Sequence, residues 1–455
     1  MKKRFAIVGA GLTGLSAAYF LRREFPDAEI SVFDSDERVG GKIRSHREGD
    51  FPHERGPNGF LSSRKPIFNL CKELGLEIRN ADHNAAIRYL WLKSCLMKLP
   101  SGPGSLMGFK GLGLKSKLSL LGDLLKKPRP SDDESIYDFV KAQFSEEMAQ
   151  NMADPFVSGV FAADCRKLSM RSAFPTIFNA QREHGSIIKG MKALKREREE
   201  REGKASKREA GYLCNLNGGM EALPKALAER AGDDLKSGVK IDQITCEQGH
   251  VDLKMGELEG RFDAVIMATP APESAKVLQE GVPRVAELMG QIEYTPVGVV
   301  VCGFKKKLDM PKGFGFLVPS QEKSDVLGVL FSSQIFPDNH NREGTTLRAM
   351  FGGSHKGELL KASDEEIRKM IEHELSEKLG LNEEIDYFHV VRWHKAIPLY
   401  ALGHYKRVEE IELALREKPL FVTGTALYGV SMNDCVVSAQ DCVNQVVAYM
   451  RSKHE

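Results

Sequence analysis

What the 455-residue sequence has little of already narrows its function. Its eight cysteines include no C-x-x-C pair and no metal-like spacing, which argues against a structural zinc and for a reduced compartment. Neither sign of charge is in excess: 65 basic against 63 acidic residues leave a net charge of +2, which offers no basis for nucleic-acid binding. Past the opening residues, no run approaches the roughly 18 uncharged apolar residues a spanning helix needs. There is no internal repeat. His53, His184, His355, His394 and His404 are scattered, with neither a metal pair nor a triad among them. What remains is a globular composition, 42% hydrophobic and 28% charged, on a chain long enough for two or three domains.

The stretch that imitates a leader is RFAIVGAGLTGLSAAYFL, residues 4 to 21, preceded by Lys2 and Lys3. Glycines break its apolar core every two or three residues and no small-residue cleavage site follows, so a secretory signal is not expected. Phe5 to Val8 instead reads as a buried strand, and Leu12, Leu15, Ala18 and Tyr19 recur at helical spacing. Strand, glycine turn and helix are the context in which Gly9-Ala10-Gly11-Leu12-Thr13-Gly14 becomes a dinucleotide site. Gly9 makes the turn, Gly11 admits a pyrophosphate to the backbone, Gly14 lets the helix lie on the strand, and the helix amides supply the anion site. A second strand, Ile30 to Phe33, ends in Asp34, 20 residues beyond Gly14, with Ser35 next to it. A carboxylate at that spacing accepts hydrogen bonds from adenosine ribose hydroxyls.

The continuation decides which dinucleotide is expected. ERVGGKIRS, with Gly40, Gly41, Lys42 and Arg44, resembles the second glycine signature of the FAD-binding superfamily of amine oxidases, phytoene desaturases and protoporphyrinogen oxidases. HERGPNGF resembles that superfamily's flavin-side loop, which implies that Gly56, Pro57, Asn58 and Gly59 lie against the ribityl chain and ring. Near the other end, PLFVTGTALYGVSMNDCVVSAQDCVNQVVAYM reads as a strand (Leu420 to Thr423), a glycine turn and a helix capped by Asn433. In the superfamily such a helix directs its positive end at the flavin pyrimidine, which implicates Thr425, Val430, Ser431 and Met432. Asp34 stands where many members carry glutamate, and Lys42 where Arg or Trp is frequent. Ile241, in VKIDQI, is the expected adenine-side residue.

Four internal stretches are similar to the protoporphyrinogen oxidase family in particular: VFAADCRKLSMRSAFPTIFNAQREHGSII, GFGFLVPS, AMFGGSH and HKAIPLYALGHYKRVE. The resemblance runs from Arg4 to about Tyr449, interrupted mainly at 189 to 210. It implies an oxygen-dependent flavoenzyme that takes six hydrogens from protoporphyrinogen IX and releases hydrogen peroxide. Flavin N5 would accept hydride, so no catalytic acid or base is expected. It further implies Arg88 as partner of a substrate propionate, Phe314, Leu317 and Met350 around the tetrapyrrole, and Gly159 as a backbone neighbour of the macrocycle. Alternatives stay open: coproporphyrinogen III oxidation, a tetrapyrrole-carrying flavoprotein without turnover, and, least favoured, a generic amine oxidase.

The expected fold class is α/β, with a Rossmann-type FAD-binding domain built from the non-contiguous segments 1–85, 212–285 and 385–455. A mixed-sheet substrate domain is expected at 286–384. Residues 95–200 are expected to form a helical domain that, in the family, associates with membrane and shapes the substrate entrance; MKLPSGPGSLMGFKGLGLKSKLSLLGDLLKK interleaves leucines with lysines and has no acid before Asp123. A soluble helical cap fits that composition equally. The run from Lys189 to Glu209 holds nine basic and five acidic residues, the mark of a solvated segment. Cys435 and Cys442, seven apart on one helix face, read as packing. The expected location is cytoplasmic, peripheral on the inner face of the cell membrane. A membrane surface, ferrochelatase and a second copy of the chain are the open partners beside tetrapyrrole and oxygen.

Overall fold

The structure, a computed structural model, describes residues 2–47, 49–129, 131–202, 211–247, 249–341 and 343–453. The part of the charged run from 203 to 209 lies outside the described residues. Two sheets carry the architecture. In chain order their strands are β1 (Arg4–Val8), β2 (Glu29–Asp34), β3 (Tyr89–Leu92), β4 (Cys95–Lys98), β5 (Leu235–Ser237) and β6 (Ala264–Met267). They continue with β7 (Tyr294–Phe304), β8 (Gly315–Leu317), β9 (Val326–Leu330), β10 (Thr345–Gly352), β11 (Tyr387–Pro398) and β12 (Leu420–Val422).

The first sheet is parallel, ordered β5-β2-β1-β6-β12. Its central strands are continuous apolar runs, FAIV in β1 and AVIM in β6, as befits strands covered on both faces. One face is covered by α1 (Leu12–Glu24) together with the long C-terminal helix, and Phe5, Ile7, Leu15, Val443 and Val446 share that core. The other face packs on a three-stranded antiparallel sheet of residues 243–262 and on helices Ala271–Leu278 and Pro283–Gly290. Three distant parts of the chain thus meet in one sheet, and the carboxyl ends of β1, β2 and β6 open on one crevice, where ligands of such sheets bind.

The second sheet is ordered β11-β7-β10-β9-β8-β3-β4, antiparallel except where β8 runs parallel to β3. Alternation divides its faces. Val300, Cys302, Leu347, Ala349 and Phe351 turn into a core with Ile367 and Ile371 of helix Asp364–Leu379. Val297, Val299, Arg348 and Met350 turn the other way, onto a cavity.

This sheet moves two expected boundaries. Cys95–Lys98 belongs to it rather than to a helical domain beginning at 95, because β3 and β4 form a hairpin turned by Lys93 (φ 56°) and Ser94 (φ 54°). Two left-handed residues match the strand twist, but neither is the glycine or asparagine that announces such a turn. Likewise β11 pairs with β7 and does not begin the third dinucleotide segment at 385.

Above the cavity face lies α3 (Asp154–Phe161), whose Val160 lines the cavity; it belongs with α2 (Leu114–Gly122) and α4 (Ile187–Glu202) to a helical part whose core includes Phe139, Val157, Phe161 and Phe178. The chain closes with α5 (Met432–Ser452). Its cap is Ser431, not Asn433. Ser431 Oγ accepts from Asp434 N at 3.1 Å and Asp434 Oδ2 accepts from Ser431 N at 3.1 Å, a reciprocal capping box. Asn433 lies inside the first turn, where its Oδ1 accepts from Ile67 N at 3.5 Å. Cys435 and Cys442 are buried on the packed face of α5, and burial pushes their thiols up to about 11 and about 12. Among the described residues no helix is long and apolar enough to cross a membrane.

Candidate cofactor and substrate site

A cavity of about 880 Å³ runs from the carboxyl ends of β1 and β2 to the exposed face of the second sheet. Its dinucleotide end follows from glycine geometry. Gly9 turns at φ +104° directly after β1, and a Cβ on Gly14 would lie 1.8 Å from Gly9 O, so only glycine lets α1 start this close to the strand. A Cβ on Gly11 would meet nothing within 4 Å and would project into open space. Asp34 fixes the turn from the neighbouring strand: Oδ2 accepts from Ala10 N at 2.6 Å and Oδ1 from Asp36 N at 2.9 Å. Each oxygen keeps a lone pair, and Asp34 and Ser35 line the cavity together with Ile241.

A second loop faces the first. Gly41 stands 3.5 Å from Gly11 Cα, measured from an added Cβ. Arg38 holds this loop from behind, donating to Val39 O at 2.7 Å and to Gly41 O, and pairing with Glu221 at 3.1 Å. The next loop packs against it, where a Cβ on Gly56 would lie 2.0 Å from Lys42 O. Trp393 Nε1 donates to Arg55 O at 3.0 Å and Arg348 Nη2 to Gly56 O at 2.6 Å, so the second sheet grips two consecutive carbonyls of this loop.

Cations concentrate here. Arg44, over the Trp393 ring at 5.4 Å, and Arg55 both line the cavity with a buried Nε that has no acceptor. Burial and the neighbouring Arg38 lower the Arg44 pKa. Two half-buried guanidiniums with orphan Nε donors beside a glycine turn and a helix N-terminus suit an anionic diphosphate. Lys42 Nζ donates to Ala396 O at 2.5 Å and lies 5.0 Å from the Tyr294 ring centre. Burial pulls its ammonium down to about 8, against a small upward pull from Cys435. At the far wall Thr425, Val430 and Met432 bring the start of α5 to the cavity.

Most of the residues singled out from the sequence converge. Gly9, Gly11, Leu12, Thr13, Asp34, Ser35 and Ile241 line one end, and Gly41, Lys42, Arg44, Gly56, Pro57, Thr425, Val430 and Met432 the middle. Ala10, Gly14, Asn58, Gly59 and Ser431 stand behind them as supports: a Cβ on Gly59 would lie 2.3 Å from Cys214 O, and Asn58 O accepts from Asn215 Nδ2 at 3.0 Å. At the substrate end only Met350 lines this cavity. Leu317 packs on Gly159, whose added Cβ would lie 2.6 Å from Leu317 Cδ2. Arg88 is exposed, its guanidinium 5.0 Å from the Phe314 ring centre. These four form an outer group on the floor's β8 and β3 side. Sequence reasoning missed Val160, Val297, Val299, Ile397, Trp393 and Arg348, which line the inner part. For Arg348 a signal existed: a lone charge inside the strand TTLRAMFG.

The flavin containing amine oxidoreductase family matches residues 12–447. This chain belongs to that family. It is 30% identical to protoporphyrinogen oxidase 2 of Arabidopsis thaliana over 483 aligned residues, covering 99% of this chain and 95% of that protein. It is 26% identical to coproporphyrinogen III oxidase of Bacillus subtilis, covering 99% of both. Among solved structures, one from Exiguobacterium matches with a TM-score of 0.82 at 23% identity over 98% of this chain and 99% of that one. Putrescine oxidase matches with 0.75 at 17% over 98% and 99%; at such identities the likeness concerns the fold. The chain is therefore a flavin-containing oxidoreductase. With a dinucleotide crevice, a ribose-side carboxylate and a diphosphate cradle in one cavity, its flavin is FAD.

Proposed function

We propose that this chain oxidises a porphyrinogen to the porphyrin in haem biosynthesis, with molecular oxygen as final acceptor and hydrogen peroxide as second product. The observation that carries the reading is the continuity of the cavity. Beyond the dinucleotide end it becomes an apolar slot between Val160 of α3 and a floor of Val297, Val299 and Met350, with Arg348 and, among the described residues, no carboxylate on that floor. A substrate that is a wide apolar ring with carboxylates at its rim fits such a slot. FAD, when bound, supplies the two-electron oxidation. The chain's own groups hold, desolvate and orient: the floor excludes water, and Lys42 and the start of α5, both on the cavity wall, would supply positive charge to a flavin that gains negative charge on reduction.

Protoporphyrinogen IX is the substrate that the sequence resemblance and the plant relative's name support. Coproporphyrinogen III is the second reading, and Arg348 favours it. The helical part is proposed to rest on a membrane surface through the leucines of α2. The test offers purified protein in air each porphyrinogen separately, following porphyrin fluorescence and peroxide together. Turnover of either, with peroxide rising alongside, is the expected result. Fluorescence no faster than the enzyme-free control, from protein yellow with flavin, leaves only a carrier.

A further inference from the structure

Arg348 is a buried cation that the dinucleotide end of the cavity does not use. It sits mid-strand in β10 with 7% exposure, its neighbours Leu347 and Ala349 in the core and Met350 beside it on the cavity face. Removing a guanidinium from water costs several kcal/mol unless an anion or a full set of acceptors replaces the hydration. The described residues supply one acceptor: Nη2 donates to Gly56 O, Nε is buried without a partner, and no described carboxylate makes an ion pair with it. The acid it feels, Glu54, is already engaged by Arg47, by Ser45 Oγ at 2.5 Å and by Met220 N at 3.2 Å. Despite Glu54, burial lowers the Arg348 pKa to about 10. The position lacks an anion, and the open side is the cavity.

Strand register gives the distance to the other arginine. Arg348 stands opposite Leu330 of β9, and Leu330 opposite Gly315 of β8. The parallel pairing of β8 with β3, Phe316 with Tyr89, extends back through Phe314 N to Ile87 O at 2.7 Å, which brings Arg88 into the same row. Three strand spacings separate the two arginines, roughly 14 Å. Between them the floor is apolar, with Leu330 in their row and Leu317 and Met350 one row on.

We propose that Arg348 binds a substrate propionate at the edge of the macrocycle opposite Arg88, and so determines specificity for porphyrinogens with carboxylates on opposite edges. The inference rests on the porphyrinogen reading above and deepens it. Protoporphyrinogen IX carries its two propionates on neighbouring rings, so anchoring them at Arg88 turns vinyl and methyl groups toward Arg348. Coproporphyrinogen III carries a propionate on every ring and meets both arginines. A planar guanidinium can hold such a carboxylate through two parallel bonds.

The test compares wild type with Arg348→Gln, which keeps an amide donor for Gly56 O but no charge, and with Arg348→Lys, which keeps the charge. Steady-state rates with both porphyrinogens are paired with fluorescence titrations of coproporphyrin III and protoporphyrin IX, and flavin content is checked spectrally. In Arg348→Gln the ratio of kcat/KM for coproporphyrinogen over protoporphyrinogen is expected to fall tenfold or more, mainly through KM. Coproporphyrin binding is expected to weaken in parallel, and Lys to restore part of both. An unchanged ratio in flavin-loaded protein overturns the proposal. So does equal loss on both substrates accompanied by flavin loss, which would leave Arg348 as a brace for the Gly56 loop. If wild type oxidises neither porphyrinogen, the functional reading fails, and the titrations still decide whether Arg348 selects the porphyrin with more carboxylates.

Discussion

Single atoms decide whether the nucleotide turn stands. A methyl group at position 14 would sit 1.8 Å from Gly9 O, backbone against backbone, at the root of both β1 and α1. Gly14→Ala is therefore expected to lower stability by about 3 kcal/mol, the upper range for overpacking, even without flavin. Gly11→Ala is the contrasting case, because nothing lies within 4 Å of its added Cβ. The fold should keep its urea midpoint while the new methyl occupies space on the cavity wall, so the purified variant should carry much less flavin per chain. A full flavin complement in Gly11→Ala would show that the pyrophosphate does not lie against this turn. Both glycines were legible in the sequence because spacing alone sets them. Asp34 was legible by position only: its bonds to Ala10 N and Asp36 N depend on how β2 lies beside β1.

Among the helices, α2 is built inside out. Its buried residue is Ser116, whose Oγ donates to Glu147 at 2.6 Å, while Leu114, Leu118 and Leu121 are 64%, 52% and 68% exposed. Leu125, just beyond, extends the same stripe at helical spacing and is 86% exposed. Lys115 and Lys117 flank it. A helix that hides a hydroxyl and shows leucines between lysines suits an anionic bilayer surface. Purified protein is expected to float with vesicles containing anionic lipid, and Leu118→Glu with Leu121→Glu to stay in the lipid-free fraction while retaining flavin and turnover. If the double variant floats like wild type, the stripe does not dock on lipid. If instead it converts a dimer to a monomer without changing flotation, the leucines cover a second copy. The sequence showed the leucines and lysines but not which face turned outward, since that depends on Glu147, 31 residues past Ser116.

At the scale of the molecule, the dinucleotide sheet was readable from its local signals because each strand–turn–helix unit announces itself, even though its three parts lie far apart in sequence. The second sheet was readable only as isolated strands: its order, and hence the row shared by Arg88 and Arg348, arises from long-range pairing. Acid tests how the assembled parts hold together. Burial keeps His53 neutral down to about 3, and His340 and His404 down to about 4, whereas an exposed imidazole titrates near 6.5. Between about pH 6.5 and 4 the unfolded chain therefore binds protons that the native chain refuses, and stability falls as pH falls. Each such imidazole contributes a slope of up to about 1.4 kcal/mol per pH unit. His404 allows a clean measurement, because its ring stacks on Tyr400 at 4.2 Å and 13°, a contact phenylalanine reproduces. His404→Phe should leave stability near pH 7.5 within about 1 kcal/mol of wild type. Its decline between pH 6 and 4.5, read from urea denaturation, should be shallower by close to one proton's worth. A decline parallel to wild type would mean that the buried imidazole charges in the native state and that the acid sensitivity of the molecule resides in its other shifted groups, His53 and His340 among them.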